Sequence, residues 1–307
     1  MSETPVIIIP NADSDSRIGK VLLSLFSVIE MTDSYGRNVV WDFHDLEYLH
    51  PFFISALAVY KDSLKDNVFE INVGRNLKEL FNSIGYSSPL EFAGDVNPTT
   101  ILMPYLNAGH VPVCKFSRKY CRIDEMQSTL FSIIASRIKS KIEGWVPHTP
   151  VSYLMSELTC NIQEHSHGSH GFMIMQCPED EDSIYICIAD NGITVHGSYM
   201  QSAKTEYIRM IGNDHAEALR YCTKGFSTKN RPYNESRGYG ISTNLDMVVN
   251  GLGGAFFMLS GKAFFRSDEN GEQFVNLPTG MNWDGTIILV RLPLKQKVGF
   301  DVYKYIE

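Results

Sequence analysis

The sequence predicts a mixed α/β fold built from two domains, and three observations point to it. In the N-terminal third, short apolar runs alternate with stretches whose apolar residues recur every three or four positions, so strands alternate with helices. From residue 124 onward, helical patterns are interspersed with apolar runs that turn residues delimit. A length of 307 residues suits two domains of ordinary size. We therefore expect an α/β domain at 1–95, a connector at 96–123 and an α/β (α+β) domain at 124–307.

The composition argues against several classes of function. Hydrophobic residues make up 44% and charged residues 20% of the chain, which is ordinary for a soluble globular protein. A formal charge of −8 without runs of Lys or Arg argues against nucleic acid as a partner. No apolar run approaches the roughly 18–20 residues of a membrane span, and the N-terminus lacks a signal-peptide pattern. Six cysteines without a Cys-x-x-Cys motif favour a reducing, cytoplasmic location.

The elements of the N-terminal domain follow from the spacing of its apolar residues. Ile18 and Leu22 begin a helical pattern, and Gly85 is a typical residue for ending the third helix. In the connector, apolar segments with prolines predict short edge strands at 101–106 and 111–116. The order predicted for the domain is strand 6–9, helix 15–31, strand 39–43, helix 52–64, strand 69–73 and helix 77–84.

The C-terminal domain begins with two predicted helices. Apolar residues at a spacing of three and four predict the first at 124–142. The second begins near Thr149 and Pro150, because threonine is a good cap and proline fits the first turn. The remaining predicted elements are strands 171–176, 183–189, 255–259, 262–266 and 286–291, and helices 205–221 and 241–249.

Three polar side chains share one face of the helix that begins near residue 150. Glu157, Asn161 and His165 are spaced by four residues, which aligns them along the helix. A carboxylate and an amide oxygen on one face can hold a hydrated Mg²⁺ ion and orient a water molecule. For His165 the alternative is a residue at the helix C-terminus that interacts with the helix dipole. This face is a candidate for catalysis and metal binding.

Two turns that contain glycine lie further along the chain. Asp190-Asn191-Gly192 closes the apolar run at 183–189, which puts an acid at the turn that ends a buried strand. Gly238-Tyr239-Gly240 stands before a predicted helix, and the N–H groups at a helix start favour phosphate. Together with the polar helix face, these turns predict nucleotide binding.

These motifs resemble the sequence boxes of the GHKL ATPase family, which includes gyrases and histidine kinases, and most closely its anti-sigma-factor serine-kinase branch. The resemblance covers residues 125–295 approximately. It implies a Bergerat fold, a two-layer α/β sandwich with a mixed, mostly antiparallel sheet, and it implies ATP and Mg²⁺ as cofactors. The roles that it implies are Glu157 as general base, Asn161 as Mg²⁺ ligand, Asp190 and Gly192 at the adenine, Gly238 and Gly240 under the phosphates, and Thr286, after Gly285, as the completion of the adenine site. His165 stands where that branch often has a histidine.

The same resemblance implies an ATP lid between Gly197 and Gly238. Its basic part includes Lys229 and Arg237, which would meet the β- and γ-phosphates. One position departs from the family, because the second glycine of the first box is Thr194 in this chain. We expect the adenine contact to be kept, and the geometry of the lid is left open.

The N-terminal domain resembles a STAS domain, the fold of anti-sigma-factor antagonists. The resemblance rests on a strand, loop and helix at 40–56. Where the family carries Asp-Ser-Ser-Gly with a phosphorylatable serine, this chain has His50-Pro51-Phe52-Phe53, and Ser55 lies one helical turn later. We therefore expect the scaffold without the phosphorylation switch.

Three functions stay open on the sequence. The first is a regulatory protein that binds ATP and Mg²⁺, hydrolyses ATP slowly and switches a protein partner through its lid. The second is a serine/threonine protein kinase that acts on a separate STAS-type or sigma-factor-like regulator. The third is a non-enzymatic interaction module with degenerate STAS and ATPase scaffolds. In each case we expect a protein partner and no membrane, and a homodimer is left open.

Overall fold

The computed structural model shows two compact units, Met1–Leu90 and Glu91–Glu307. Within the described part of the chain, no helix has both the length and the apolar character needed to cross a membrane. The described residues are 4–12, 18–36, 38–106, 111–141, 148–178, 181–228, 239–295, 300–301 and 303–306.

The first unit combines a three-stranded parallel sheet with three helices. Its elements are β1 (Val6–Ile8), α1 (Ile18–Tyr35), β2 (Val39–Asp42), α2 (Pro51–Leu64), β3 (Val68–Ile71) and α3 (Arg75–Ile84). The strand order is β1-β2-β3, and Trp41 of the central strand is completely buried. Its indole Nε1 donates to Thr32 Oγ1 of α1 at 3.1 Å. Parallel strands joined by helices are what the alternating sequence pattern predicts.

Local sequence signals explain where two of these helices begin and end. The His50 ring Nδ1 accepts from the Phe52 backbone N–H at 3.1 Å, and Pro51 occupies the first turn of α2. Helix α3 ends at Gly85, whose φ of +64° is the left-handed conformation that glycine adopts without strain. The predicted glycine stop is thus confirmed.

The second unit is built on an eight-stranded sheet. Its strands are β4 (Leu90–Phe92), β5 (Cys114–Ser117), β6 (His170–Gln176), β7 (Ser183–Asp190), β8 (Ala255–Gly261), β9 (Ala263–Asp268), β10 (Gly271–Asn276) and β11 (Trp283–Pro293). The spatial order is β10-β9-β8-β11-β7-β6-β5-β4, and each pairing from β10 to β5 is antiparallel. Strand β8 is buried throughout, and β6 and β7 are buried after their first residue. The predicted mixed α/β class is confirmed.

Helices of the second unit pack on this sheet and on each other. They are α4 (Pro98–Leu102), α5 (Ile123–Lys141), α6 (His148–His165), α7 (Val195–Met200), α8 (Thr205–Ile211), α9 (His215–Thr223), α10 (Tyr239–Asp246) and α11 (Tyr303–Ile306). Helix α6 lies between α5 and α10 and also touches β7. Helix α10 continues into a π-helical turn at Met247–Gly251 that contacts β8. This packing puts the predicted polar helix face beside the helix that follows the second glycine motif.

The structure differs from the sequence prediction at the connector. Among residues 96–123, the described residues 96–106 and 111–123 fall within the second unit and include α4 and β5. The predicted strand at 101–106 is wrong, because this segment is helical and includes a 3-10 turn at Met103–Tyr105. The reason is a strong start signal, since Asn97 Oδ1 accepts from the Thr100 N–H at 3.0 Å and Pro98 occupies the first turn.

The single helix predicted at 205–221 is also wrong. Two helices, α8 and α9, replace it, and they meet at Gly212, whose φ is +55°. Asp214 then starts α9, because its Oδ1 accepts from the Glu217 N–H at 3.0 Å. Strand β10 had no predicted counterpart, since its exposed polar residues hide the strand pattern.

Candidate functional site

Helices α6 and α10 meet at a glycine. A Cβ atom at Gly240 would lie 2.8 Å from Glu157 Oε2 and 3.7 Å from Asn161 Nδ2. Any larger residue at this position would displace the carboxylate, so glycine is what allows the close approach. The structure therefore brings Gly240 to Glu157 and Asn161, which precede it by about eighty residues in the sequence.

A second contact fixes the relative direction of the two helices. The Thr243 hydroxyl is hydrogen-bonded to the Tyr153 hydroxyl. Burial, with a smaller contribution from the Glu157 charge, raises the pKa of Tyr153. Because the later residue of α10 meets the earlier residue of α6, the helices run antiparallel. We call this contact the α6–α10 seam, formed by Tyr153, Glu157, Asn161, Gly240 and Thr243.

Two amides, one on α6 and one on α10, have unused hydrogen-bonding groups. Among the residues that the structure describes, the buried Nδ2 of Asn161 has no hydrogen-bond partner. Asn244 is 0% exposed, and neither its Nδ2 nor its Oδ1 finds a partner in the same part of the chain. An unsatisfied buried group costs about 1–3 kcal/mol, so such positions call for a physical explanation.

Asp190 stands at the last position of β7, opposite Thr286 of β11. It is 5% exposed, and its Oδ1 accepts from the Gly192 N–H at 2.8 Å. The Thr286 backbone N–H also donates to this carboxylate. Strand β11 is irregular between Trp283 and Thr286, at Gly285, where a Cβ would lie 2.1 Å from the Asp190 carbonyl oxygen. Position 285 therefore requires glycine, because a side chain there would clash with the Asp190 backbone and because its φ is +88°.

Burial raises the pKa of Asp190 to about 7, although the two backbone N–H donors act in the opposite direction. The carboxyl group therefore changes its charge near neutral pH. When ionised, it only accepts hydrogen bonds, and when protonated it can also donate one.

The loop after α6 is fastened to the turn after β7. A Cβ at Gly192 would lie 1.8 Å from the Ser166 carbonyl oxygen, which accepts from the Ile193 N–H at 2.5 Å. Asn191 Oδ1 accepts from the Ser169 and His170 N–H groups, each at 3.2 Å. These bonds tie the C-terminal end of the helix that carries Asn161 to the turn that follows Asp190.

A serine that the sequence did not single out connects the next elements. Ser260 Oγ lies 3.0 Å from Thr286 Oγ1 and accepts from the Val195 N–H at 2.8 Å. Thr194, which stands where the family has glycine, caps α7, because its Oγ1 accepts from the Gly197 N–H at 3.0 Å. The sequence signal that could have identified Ser260 is its position as a polar residue in an otherwise apolar strand. We call the group Asp190, Gly192, Ser260, Gly285 and Thr286 the Asp190 edge.

Some predicted site residues fall outside this geometry. Lys229, Arg237 and Gly238 lie outside the described residues. His165 is the last residue of α6. Among the described residues, no group of three or more His, Cys, Asp or Glu side chains is arranged to hold a metal ion.

The residues of the α6–α10 seam fit a magnesium ion that takes most of its ligands from phosphates and waters. Asn161 offers an amide oxygen, and its Nδ2 is the atom that lies toward Gly240, 3.7 Å from the position of an added Cβ. Comparison of the chain with protein families, curated proteins and solved structures gives no match.

Proposed function

We propose that the second unit binds ATP with Mg²⁺ and works as a GHKL-type regulatory protein that switches a protein partner through a lid. The observation that carries this proposal is the approach of Gly240 to Glu157 and Asn161. Gly240 follows Glu157 and Asn161 by about eighty residues, and the three meet where the buried Asn161 Nδ2 has no hydrogen-bond partner among the described residues. The hydrogen bond between the loop after α6 and the turn after Asp190 also supports the proposal, because it links the helix that carries Asn161 to the Asp190 edge.

At the Asp190 edge, the ionised Asp190 carboxylate would accept a hydrogen bond from the exocyclic amine of adenine. The Thr286 hydroxyl, already oriented by Ser260, would lie beside it. At the α6–α10 seam, Asn161 Oδ1 would hold the magnesium ion, which offsets the charge of the phosphates when it is bound.

Glu157 would act as the general base of this site. Its carboxylate takes the proton of a water or of a serine or threonine hydroxyl. The oxygen then bonds to the γ-phosphorus while the bond to the bridging oxygen breaks, and ADP leaves with that electron pair. Water as acceptor gives slow hydrolysis, whereas a hydroxyl gives phosphotransfer to a STAS-type or sigma-factor-like partner.

Isothermal titration with ATP-Mg²⁺ tests the binding half of this proposal. We expect the Asn161→Ala variant to bind at least tenfold more weakly than the wild type, because it loses the ligand for the cation. The matched control is Asn82→Ala, an exposed asparagine of α3 in the first unit, which should bind as the wild type does. Equal affinity in wild type and Asn161→Ala would remove the basis of the proposal.

One observation favours a second candidate, a non-enzymatic interaction module. In the first unit, His50 caps α2, and the residues that stand at the family's serine positions, Pro51 and Phe52, are buried. Ser55, the nearest hydroxyl along the helix, is 0% exposed and out of reach of a kinase. A dissociation constant for ATP tighter than about 100 μM, which corresponds to over 5 kcal/mol, would argue against this candidate.

A further inference from the structure

A row of three polar side chains crosses the sheet at the Asp190 edge. Thr286 of β11 is paired with Asp190 of β7 on one side and with Ser260 of β8 on the other. Residues directly opposite one another on neighbouring antiparallel strands lie on the same face of the sheet. Asp190, Thr286 and Ser260 therefore lie side by side on one face, with Thr286 in the middle.

The contacts of Ser260 fix the direction of its hydrogen bond with Thr286. Ser260 is 1% exposed, and its Oγ lies 2.8 Å from the Val195 nitrogen, 3.1 Å from the Gly285 carbonyl oxygen and 3.0 Å from Thr286 Oγ1. A backbone N–H can only donate and a carbonyl oxygen can only accept, whereas a serine hydroxyl has one proton and two lone pairs. The proton goes to Gly285 and one lone pair to Val195, so a lone pair is left for Thr286.

The Thr286 hydroxyl must then donate its proton to Ser260. The bonds of Asp190 agree with this direction, because the donors to its carboxylate are the backbone N–H groups of Gly192 and Thr286. With its proton directed at Ser260, Thr286 Oγ1 offers only lone pairs to a ligand, and Thr286 is partly exposed. The ionised Asp190 carboxylate beside it also only accepts hydrogen bonds.

We propose that Ser260 is a positioning residue that makes this face a pure hydrogen-bond acceptor, and so selects a nucleotide whose base carries an amino group there. This inference rests on the proposed function. An exocyclic amine offers N–H donors to Asp190 and Thr286, whereas a carbonyl oxygen in its place would meet two acceptors. A site built for a donor rejects a ligand that lacks it. Ser260 is buried, so it acts through Thr286 and does not touch the base.

Isothermal titration of the full chain with three nucleotides and Mg²⁺ measures this selection. ATP, purine riboside triphosphate and inosine triphosphate carry an amino group, a hydrogen atom and an oxygen atom at the same position of the base. We expect the wild-type affinity to fall in that order, with ATP bound at least tenfold more tightly than inosine triphosphate. Any other order would mean that the face offers a donor or does not read this position, and it would overturn the inference.

Ser260→Ala tests whether the serine acts through Thr286. Without Ser260, the Thr286 hydroxyl can turn its proton toward the ligand, so the ratio of the affinities for ATP and inosine triphosphate should fall at least fivefold. A purely structural loss would weaken both nucleotides alike and leave the ratio unchanged. In a Thr286→Val background, Ser260→Ala should not change the ratio, because the group through which it acts is gone. Ser267→Ala, at a buried serine of β9 outside the row, is the control and should keep the wild-type ratio.

Ser260→Cys covers the case in which the alanine variant does not fold. A thiol has nearly the size of the hydroxyl but is a weak donor and a weak acceptor, so the ratio should fall in the same direction. A wild-type ratio in the folded variant overturns the inference and leaves Ser260 with a structural role only. A wild type that binds none of the three nucleotides instead refutes the proposed function.

Discussion

The α6–α10 seam and the Asp190 edge differ in how completely their polar groups are hydrogen-bonded. At the Asp190 edge, the carboxylate accepts from Gly192 and Thr286, and Ser260 joins Thr286 to the start of α7. At the seam, the buried Nδ2 of Asn161 has no hydrogen-bond partner among the described residues. Backbone bonds thus hold the edge in one arrangement, whereas the seam retains hydrogen-bonding capacity. The seam therefore has an unused hydrogen-bonding group for a ligand, whereas the Asp190 edge has a carboxylate whose position is fixed before any ligand binds.

The largest effect on stability should come from a change that separates the loop after α6 from the turn after β7. A Cβ at Gly192 would lie 1.8 Å from a backbone oxygen, which cannot move aside as the end of a side chain can. We expect Gly192→Ala to lower the free energy of unfolding by more than about 3 kcal/mol, measured by urea denaturation.

Gly197→Ala is the matched control for that change. It lies in α7, in the same part of the unit, and the nearest atom to its added Cβ would be 3.4 Å away. Alanine there should alter stability by less than about 1 kcal/mol, because ordinary van der Waals contact replaces the clash. Similar losses in both variants would show that α6 is not fastened to the turn after β7 in the way described.

A smaller effect should follow from Asp190→Asn, and it should depend on pH. The folded-state pKa is about 7, above the ordinary 3.8, so the unfolded chain ionises first as the pH rises. The wild type therefore loses stability between pH 4 and pH 7, by at most about 4 kcal/mol, and this loss is complete above pH 7. Asparagine does not ionise and still accepts from Gly192, so the variant should be the more stable protein at pH 8.

Unfolding curves of Asp190→Asn and wild type at pH 4 and pH 8 check this expectation. The difference between the two proteins should be small at pH 4 and largest at pH 8. A constant difference across this range would mean that the carboxyl group ionises alike in both states, and the Asp190 edge would then be less enclosed than its burial indicates.

Short-range patterns were enough to predict most elements and one face of α6, because helical and strand periodicity depends on residues that are close together in the sequence. The meeting of Glu157 and Asn161 with Gly240 needed tertiary packing, and only a known arrangement of motifs suggested it. Asn244 could not be found from the sequence, since an amide inside a helix suggests a solvent-facing position. Helix α10 packs against α6, α9 and the π-helical turn that follows it, and Asn244 is buried in the folded unit.

Two local signals were available in the sequence but were not used for the prediction. Gly212 followed by Asp214 marks the end of one helix and the cap of the next, yet a single helix was predicted across them. Thr194 was treated as a lost glycine, whereas the structure uses its hydroxyl as the cap of α7. In both cases the side-chain cap, which is local chemistry, decided the structure.

The smallest effect on stability should come from Gly240→Ala, which changes the α6–α10 seam and no residue of the Asp190 edge. The atom closest to the added Cβ is Glu157 Oε2, at the end of a flexible side chain, so the carboxylate can swing away. Alanine also favours the helical conformation, and the free energy of unfolding should stay within about 1 kcal/mol of the wild type. The displaced carboxylate would crowd Asn161 and the space beside it, so we expect at least a tenfold loss of affinity for ATP-Mg²⁺ by isothermal titration. Unchanged affinity in a stable Gly240→Ala protein would place the ligand elsewhere and leave the unpaired amides to internal water.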